Sequence, residues 1–376
     1  MVRIIIGGDL CPLGNIAQTF ISGNSKAIFN DLFPIIEAAD FNVINLECPL
    51  IRKTSSIKKD GIVLGASYAT INGLKNIKIN AVNLANNHIM DHNEQGLIST
   101  TATLNDCGIR WFGAGRNLEE ARRPLIQRIN DRRFGFIGIA EHEFSIARNR
   151  SWGANPIDVI SIIQTIREYR TQIDHLIILV HGGKEHYHYP SPRLQKLCRF
   201  MIDEGADAVI CQHSHCAGSY EYFNNKLIVY GQGDLVFERL KRNKKTSNKG
   251  FLVSLEYSKT NFNAKFIPFR QADGSLGVQR LSSEDESEFL SQLDIRSENI
   301  LSPEFIEQSW IELCCKEKYL YASRLLGHTR LLRFINSKIH FTDWAYSKKS
   351  KMISRNVVEC EIHREGLETL WRNDLY

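Results

Sequence analysis

Short apolar runs recur along the first 270 residues of this chain, and nearly every one stops at a carboxylate, an amide or an imidazole. The runs cover 2–6, 41–46, 81–84, 134–139, 176–180, 208–211 and 227–230. Helix-like stretches at 25–39, 94–107, 156–172 and 192–204 lie between several of them. Strands alternating with helices predict a layered α/β domain. Two further runs, 251–257 and 264–270, follow without an intervening helix and predict an antiparallel pair closing one sheet.

The strand ends carry the chemistry. They read "GGDLCPLG" with Asp9, "NLECPL" with Glu47, and "LANNHIMDHNEQG" with Asn86, Asn87, His88 and Asp91. Later ends read "LVHGGKEHYHYP" with His181, Glu185 and His186, "CQHSHCAG" with His213 and His215, and "YGQGDL" with Asp234. Ligands of open α/β sheets bind outside the carboxyl ends of the strands. Each end alone also reads as a helix cap or a turn. Six such ends on one rim point instead to metal, and an oxygen–imidazole set suits zinc, manganese or iron rather than calcium. One zinc-type site needs about four ligands, so this number suits two ions.

Bulk properties remove other classes. A net charge of +5 over 376 residues permits an anionic substrate but is far below a nucleic-acid binder's signature. No apolar run approaches the roughly 18 residues of a membrane span. The chain opens directly on a strand, without the pattern of a signal peptide, and its nine cysteines contain no C-x-x-C pair. Together these predict a reduced, cytoplasmic protein. Near "QADGSLG" the strand pattern gives way to helix formers, with Ser302 as a cap and proline behind it. The expected division is a domain over 1–272 and a helical extension over 273–376. A basic stretch from Arg239, "RLKRNKKTSNKG", reads as a solvated hairpin loop or as a lid attracting an anion.

The order of these motifs resembles the CapA family of capsule and poly-gamma-glutamate synthesis proteins, within the calcineurin-like metallophosphoesterase superfamily. The matching residues are Gly8-Asp9, Asn45-Leu46-Glu47, Ala85-Asn86-Asn87-His88 with Asp91 and Gly96, and His181-Gly182-Gly183-Lys184-Glu185. Gly205-Ala206-Asp207 running to His213 and His215, then Tyr230 to Asp234, complete the set. The resemblance covers roughly residues 1–270 and implies a four-layer α/β/β/α sandwich with a C-terminal α-helical extension.

The resemblance also implies roles. Asp9 and His215 would hold one divalent ion, Asn87, His181 and His213 a second, and Glu47 would bridge them. His88 would donate a proton, with Asp91 and Glu185 as the other catalytic candidates. Relatives of this superfamily carry Asp-x-His at the first strand, whereas this chain reads Asp9-Leu10-Cys11. His92, His186 and His188 stay outside the metal set, and His340 and His363 read as ordinary surface or packing residues.

Three functions follow as expectations. The first is a soluble, dinuclear metal-dependent hydrolase of a phosphoester or amide bond, including a gamma-glutamyl bond. It would serve bacterial synthesis of a capsule, surface polysaccharide or polyglutamate-type polymer, on an anionic small-molecule or polymer substrate. The second is a non-catalytic accessory subunit that binds a polymer or a ligase and retains the fold. The third, a nuclease, lacks the aromatic-basic stripe that single-stranded nucleic acid requires.

Overall fold

The computed structural model describes residues 1–237, 248–258, 262–271 and 277–372. Residues 239–247 of the basic stretch therefore lie outside the described residues. Four strands come first: β1 (Val2–Cys11), β2 (Phe41–Leu46), β3 (Ala81–Asn83) and β4 (Arg110–Phe112). A hairpin of β5 (Leu125–Ile129) and β6 (Arg132–Ala140) follows, then β7 (His175–His181), β8 (Ala208–Gln212), β9 (Tyr220–Phe223) and β10 (Lys226–Tyr230). The last are β11 (Asp234–Phe237), β12 (Lys249–Tyr257), β13 (Phe262–Gln271) and β14 (Val278–Arg280).

Two sheets result. The first has the order β14-β13-β12-β1-β2-β3-β4, with β11 also pairing the end of β1; the second has the order β9-β10-β8-β7-β6-β5. β1 to β4 run parallel, as do β6, β7, β8 and β10, whereas β12 to β14 form the expected antiparallel closure.

Alternation along each strand builds the layers, because successive side chains leave opposite faces. Ile4, Ile6 and Val43 meet Phe134, Phe136, Leu179 and Ile210 between the sheets. Ile5, Ile44 and Val82 face the other way, onto Phe20, Phe29, Leu97 and Leu104. On the far side, Ile178 and Val209 pack against Ile162, Ile166, Cys198 and Met201. This is a four-layer α/β/β/α sandwich. Because both sheets are covered, their central strands are mostly apolar on both faces rather than half-polar.

The flanking helices start where caps allow. α1 (Asn93–Asp106) covers the first sheet. α2 (Val159–Tyr169) begins where the Asp158 carboxylate accepts the Ser161 amide, and α3 (Pro192–Asp203) where Ser191 accepts the Leu194 amide ahead of proline. The stretch 25–39 is not one helix. It breaks into Ser25–Phe29 and Phe33–Glu37 around Asn30, whose φ of 43° is incompatible with a continuous helix.

The first compact unit runs Met1–Ile306, beyond the expected boundary at 272. The reason is burial. In α4 (Ser283–Asn299), capped by Ser282, Phe289 and Leu293 enter the core between the sheets, while Ile300 and Ile306 join the outer core under α3. Ser302 caps the next helix, accepting the Phe305 amide at 3.1 Å. The second unit, Glu307–Tyr376, includes helices Lys318–Leu325, Arg330–Ile339, Lys348–Glu359 and Glu361–Arg372. A chain ended after Ile306 should keep its fold. One ended at 272 should lose on the order of 2–5 kcal/mol for each of Phe289 and Leu293. Thermal denaturation of the two truncations checks this.

Candidate metal centre

All the carboxyl ends that carry the motif residues meet at one rim. Asp9 lies near the carboxyl end of β1, beside a register shift between Gly7 and Asp9. Gly8 permits that shift, because a Cβ there would stand 2.1 Å from the Gly233 carbonyl oxygen. The contact brings β11 alongside, so that Asp234 pairs directly with Asp9. After β8 the chain turns through two left-handed residues, His213 at φ 87° and His215 at φ 53°. Such conformations are costly for non-glycine residues and concentrate at functional sites.

Two donor groups form there and share one carboxylate. Glu47, His181 and His213 offer ligand atoms within 4.8 Å of one another, and so do Asp9, Glu47, His215 and Asp234. Asn87 joins the first group, its Oδ1 standing 3.0 Å from His181 Nε2, which is also 3.1 Å from His213 Nδ1. In the second, His215 Nδ1 stands 2.7 Å from Asp234 Oδ1 and 3.8 Å from Asp9 Oδ2. Glu47 Oε1 is 3.5 Å from His181 Nε2 and 3.8 Å from His215 Nε2. A third group, Glu185 with His213 and His215, opens toward solvent, since Glu185 is exposed. The six residues expected to bind metal, Asp9, Glu47, Asn87, His181, His213 and His215, therefore surround one centre.

The donor set fits divalent ions. Glu47 is fully buried, yet among the described residues neither of its carboxylate oxygens has a hydrogen-bond partner. An orphaned buried carboxylate is expensive unless a cation completes it. Imidazole nitrogen mixed with carboxylate and amide oxygen matches zinc, manganese or iron. Cys11 does not replace the histidine absent from the first strand. It is fully buried in the core under the helices, where burial and the neighbouring Cys48 push its thiol well above the usual range. On that side the Asp234 carboxylate stands among the candidate donor atoms instead.

Electrostatics agree. Burial pushes the Asp9 carboxyl up to about 6, and pushes Glu47 well above the carboxylate range with Asp9 and Asp234 reinforcing it. Burial and the neighbouring imidazoles push His181 well below its ordinary value and His213 down to about 3. The shifts favour the neutral imidazole that binds metal, and they make ionisation of the two carboxyls harder until an ion is bound. Asp9 therefore contributes stability to the metal-free fold that is full below about 3.8 and lost as pH rises through about 6. Added manganese or zinc should raise the melting temperature more at pH 7.5 than at pH 5, which paired thermal scans measure.

Neighbours orient the ligands. Asn45 Nδ2 donates to Asp9 Oδ1 at 2.7 Å and lies 3.1 Å from His181 Nδ1, while the His213 amide donates to Asp9 Oδ2 at 2.9 Å. Asn87 Nδ2 donates to Glu143 Oε2 at 3.1 Å, which turns Asn87 Oδ1 toward His181. Beside the centre, His88 Nδ1 stands 2.6 Å from Asp91 Oδ2. Asp91 is fully buried and His88 partly open, so the carboxylate backs a ring that reaches the cleft.

The remaining histidines have other partners. His92 Nδ1 accepts the Ser55 amide at 2.9 Å, and His188 Nδ1 donates to the Ala217 carbonyl at 2.7 Å. The His186 ring lies 5.9 Å from that of His215 but belongs to none of the donor groups. His340 stacks on Tyr319, and His363 is exposed. Sequence reasoning missed Lys59 and Glu143, gave Asn45 no role although its motif was seen, and left Asp234 outside the metal set although it saw its strand end.

Comparison with known proteins gives the family. The model of the family described as bacterial capsule synthesis protein PGA_cap matches residues 3–239. The chain is similar to the capsule biosynthesis protein CapA of Bacillus anthracis, at 26% identity over 62% of this chain and 59% of that one. It is similar to the PGA biosynthesis protein CapA of Bacillus subtilis, at 29% identity over 62% of each. A probable polyglutamine synthesis accessory protein of Mycobacterium tuberculosis is 28% identical over 53% of this chain and 56% of its own length. The match thus spans about three fifths of the length of these relatives. Among the described residues, no helix is long and apolar enough to cross a membrane.

Proposed function

The chain belongs to the bacterial capsule synthesis protein PGA_cap family, and we propose that it is a dinuclear metal-dependent hydrolase acting in the synthesis of a capsule or polyglutamate-type polymer. One observation carries the reading. The Glu47 carboxylate is buried without a partner between two donor groups that both include it, beside the His88–Asp91 pair. Two ions bound there would supply Lewis acidity and an activated water for attack on a phosphoester or amide. Asp9, His215 and Asp234 would hold one ion, Asn87, His181 and His213 the other, with Glu47 common to both donor groups. Asp91 holds His88 Nδ1, and the open ring delivers its proton to the leaving group. Glu185, exposed beside His213 and His215, meets the substrate from the solvent side.

The substrate is anionic, either a small molecule or a polymer, and the site acts in the cytoplasm. Metal analysis of the purified protein, then a panel of chromogenic phosphate mono- and diesters and gamma-glutamyl peptides, tests the reading. Metal-dependent turnover of one class supports it. A metal-loaded protein inert to every member favours a non-catalytic accessory subunit.

A further inference from the structure

Residues 52–65 form a strap tied to the turn that carries Asn87 and His88. The Ser55 amide donates to His92 Nδ1 at 2.9 Å, and Asn93 Nδ2 donates to the Ser55 carbonyl at 2.7 Å. The Ile57 amide donates to the Asp91 carbonyl at 3.0 Å, and the Leu64 amide to Asp91 Oδ2 at 2.7 Å. Within this strap Lys58 is exposed, but the Lys59 side chain is only 2% exposed. Its ammonium stands 2.6 Å from Asp91 Oδ1 and 3.2 Å from His88 Nδ1, and donates to the Asn87 carbonyl at 3.4 Å.

A buried ammonium is tolerated only where it is paired and hydrogen-bonded. Every one of these partners belongs to the His88 turn. Both Asp91 oxygens are engaged: Oδ1 by Lys59, and Oδ2 by the Leu64 amide and His88 Nδ1. Turning the carboxylate to release His88 would break the ion pair with Lys59, so the ammonium fixes the plane of the carboxylate that fixes the ring. We propose that Lys59 is a positioning residue of this site, holding the His88 ring and its tautomer through Asp91. The inference rests on the hydrolase reading for its kinetic consequence, but not for its geometry. Lys59 itself does not contact the reacting atoms.

The test compares Lys59→Met and Lys59→Arg with the wild type, as the full metal-loaded chain acting on bis(p-nitrophenyl) phosphate. Lys59→Met should keep its metal and lose about 10–100-fold in kcat with KM roughly unchanged, the usual cost of removing an orienting partner. In a His88→Ala background the same substitution should cost almost nothing further, because the two residues act as a unit. Lys59→Arg should recover part of the loss. Imidazole nitrogen NMR, assigned with His88→Ala, should show one His88 tautomer in the wild type and a mixture in Lys59→Met. If Lys59→Met does not fold, Lys59→Gln, which keeps a donor without the charge, takes its place. An equal loss in the His88→Ala background, or an unchanged His88 tautomer, overturns the proposal. If the wild type turns over no member of the ester and gamma-glutamyl panel, the hydrolase reading fails, and the tautomer comparison still decides the role of Lys59.

Discussion

Replacing Glu47 with glutamine should strip the protein of most of its metal and abolish turnover, while leaving the metal-free fold at least as stable. Glu47 is the one carboxylate common to both donor groups, so its loss takes a ligand from two sites at once. A neutral amide is a poor substitute between two cations, and a fall of at least about 10³-fold in kcat/KM is expected, about 4 kcal/mol of lost transition-state stabilisation. Stability moves the other way. Burial pushes the Glu47 carboxyl well above the carboxylate range in the absence of metal, at the expense of the fold, and neither oxygen has a hydrogen-bond partner among the described residues. Removing the ionisable group should raise metal-free stability by ~1–3 kcal/mol. Urea denaturation of both proteins in chelator, with metal analysis of both after reconstitution, reads the two effects separately. A carboxylate kept for packing would give the opposite pair, with metal retained and stability lost.

His88→Ala should behave differently. His88 touches Asp91 and Lys59 through Nδ1 and belongs to none of the donor groups. Metal content should stay close to that of the wild type while turnover falls about 10²–10⁴-fold, the contribution of a positioned proton donor. His213→Ala, which removes a ligand shared by two donor groups, should lower occupancy and activity together. The contrast separates acid from ligand. Equal loss of metal in the two variants would remove His88 from the role of acid. Full activity of both on an identified substrate would remove the hydrolase.

The rim was legible because two signals coincide there. β2 and β7 are buried on both faces, so their sequences are dominated by apolar residues, with Asn42 and Asn45 the polar exceptions inside β2, and the polar group at the end of each marks the place where the chain reaches the rim. Asp9, Glu47, His181, His213 and His215 were visible for that reason. Lys59 was not, because it follows Lys58 in a loop without periodicity, and nothing local says which of two adjacent lysines is buried. Glu143 was hidden similarly, on an irregular segment after β6 whose path is set by distant contacts. Asp234 was seen but left unassigned; only the close approach of Gly8 and Gly233 puts its carboxylate opposite Asp9. The boundary at 272 followed the change from strand to helix pattern. Which helices pack on the sandwich depends on single side chains such as Leu293, fully buried within a helix whose surface is mostly polar.

Metal stoichiometry bears most directly on the centre. Full-length protein purified without chelator, saturated with manganese or zinc and freed of excess, should retain close to two ions per chain. Anomalous diffraction should place them about 3.5–4 Å apart with Glu47 between them. Retention of at most one ion at saturation, or a second ion that does not touch Glu47, would contradict a dinuclear centre at this rim.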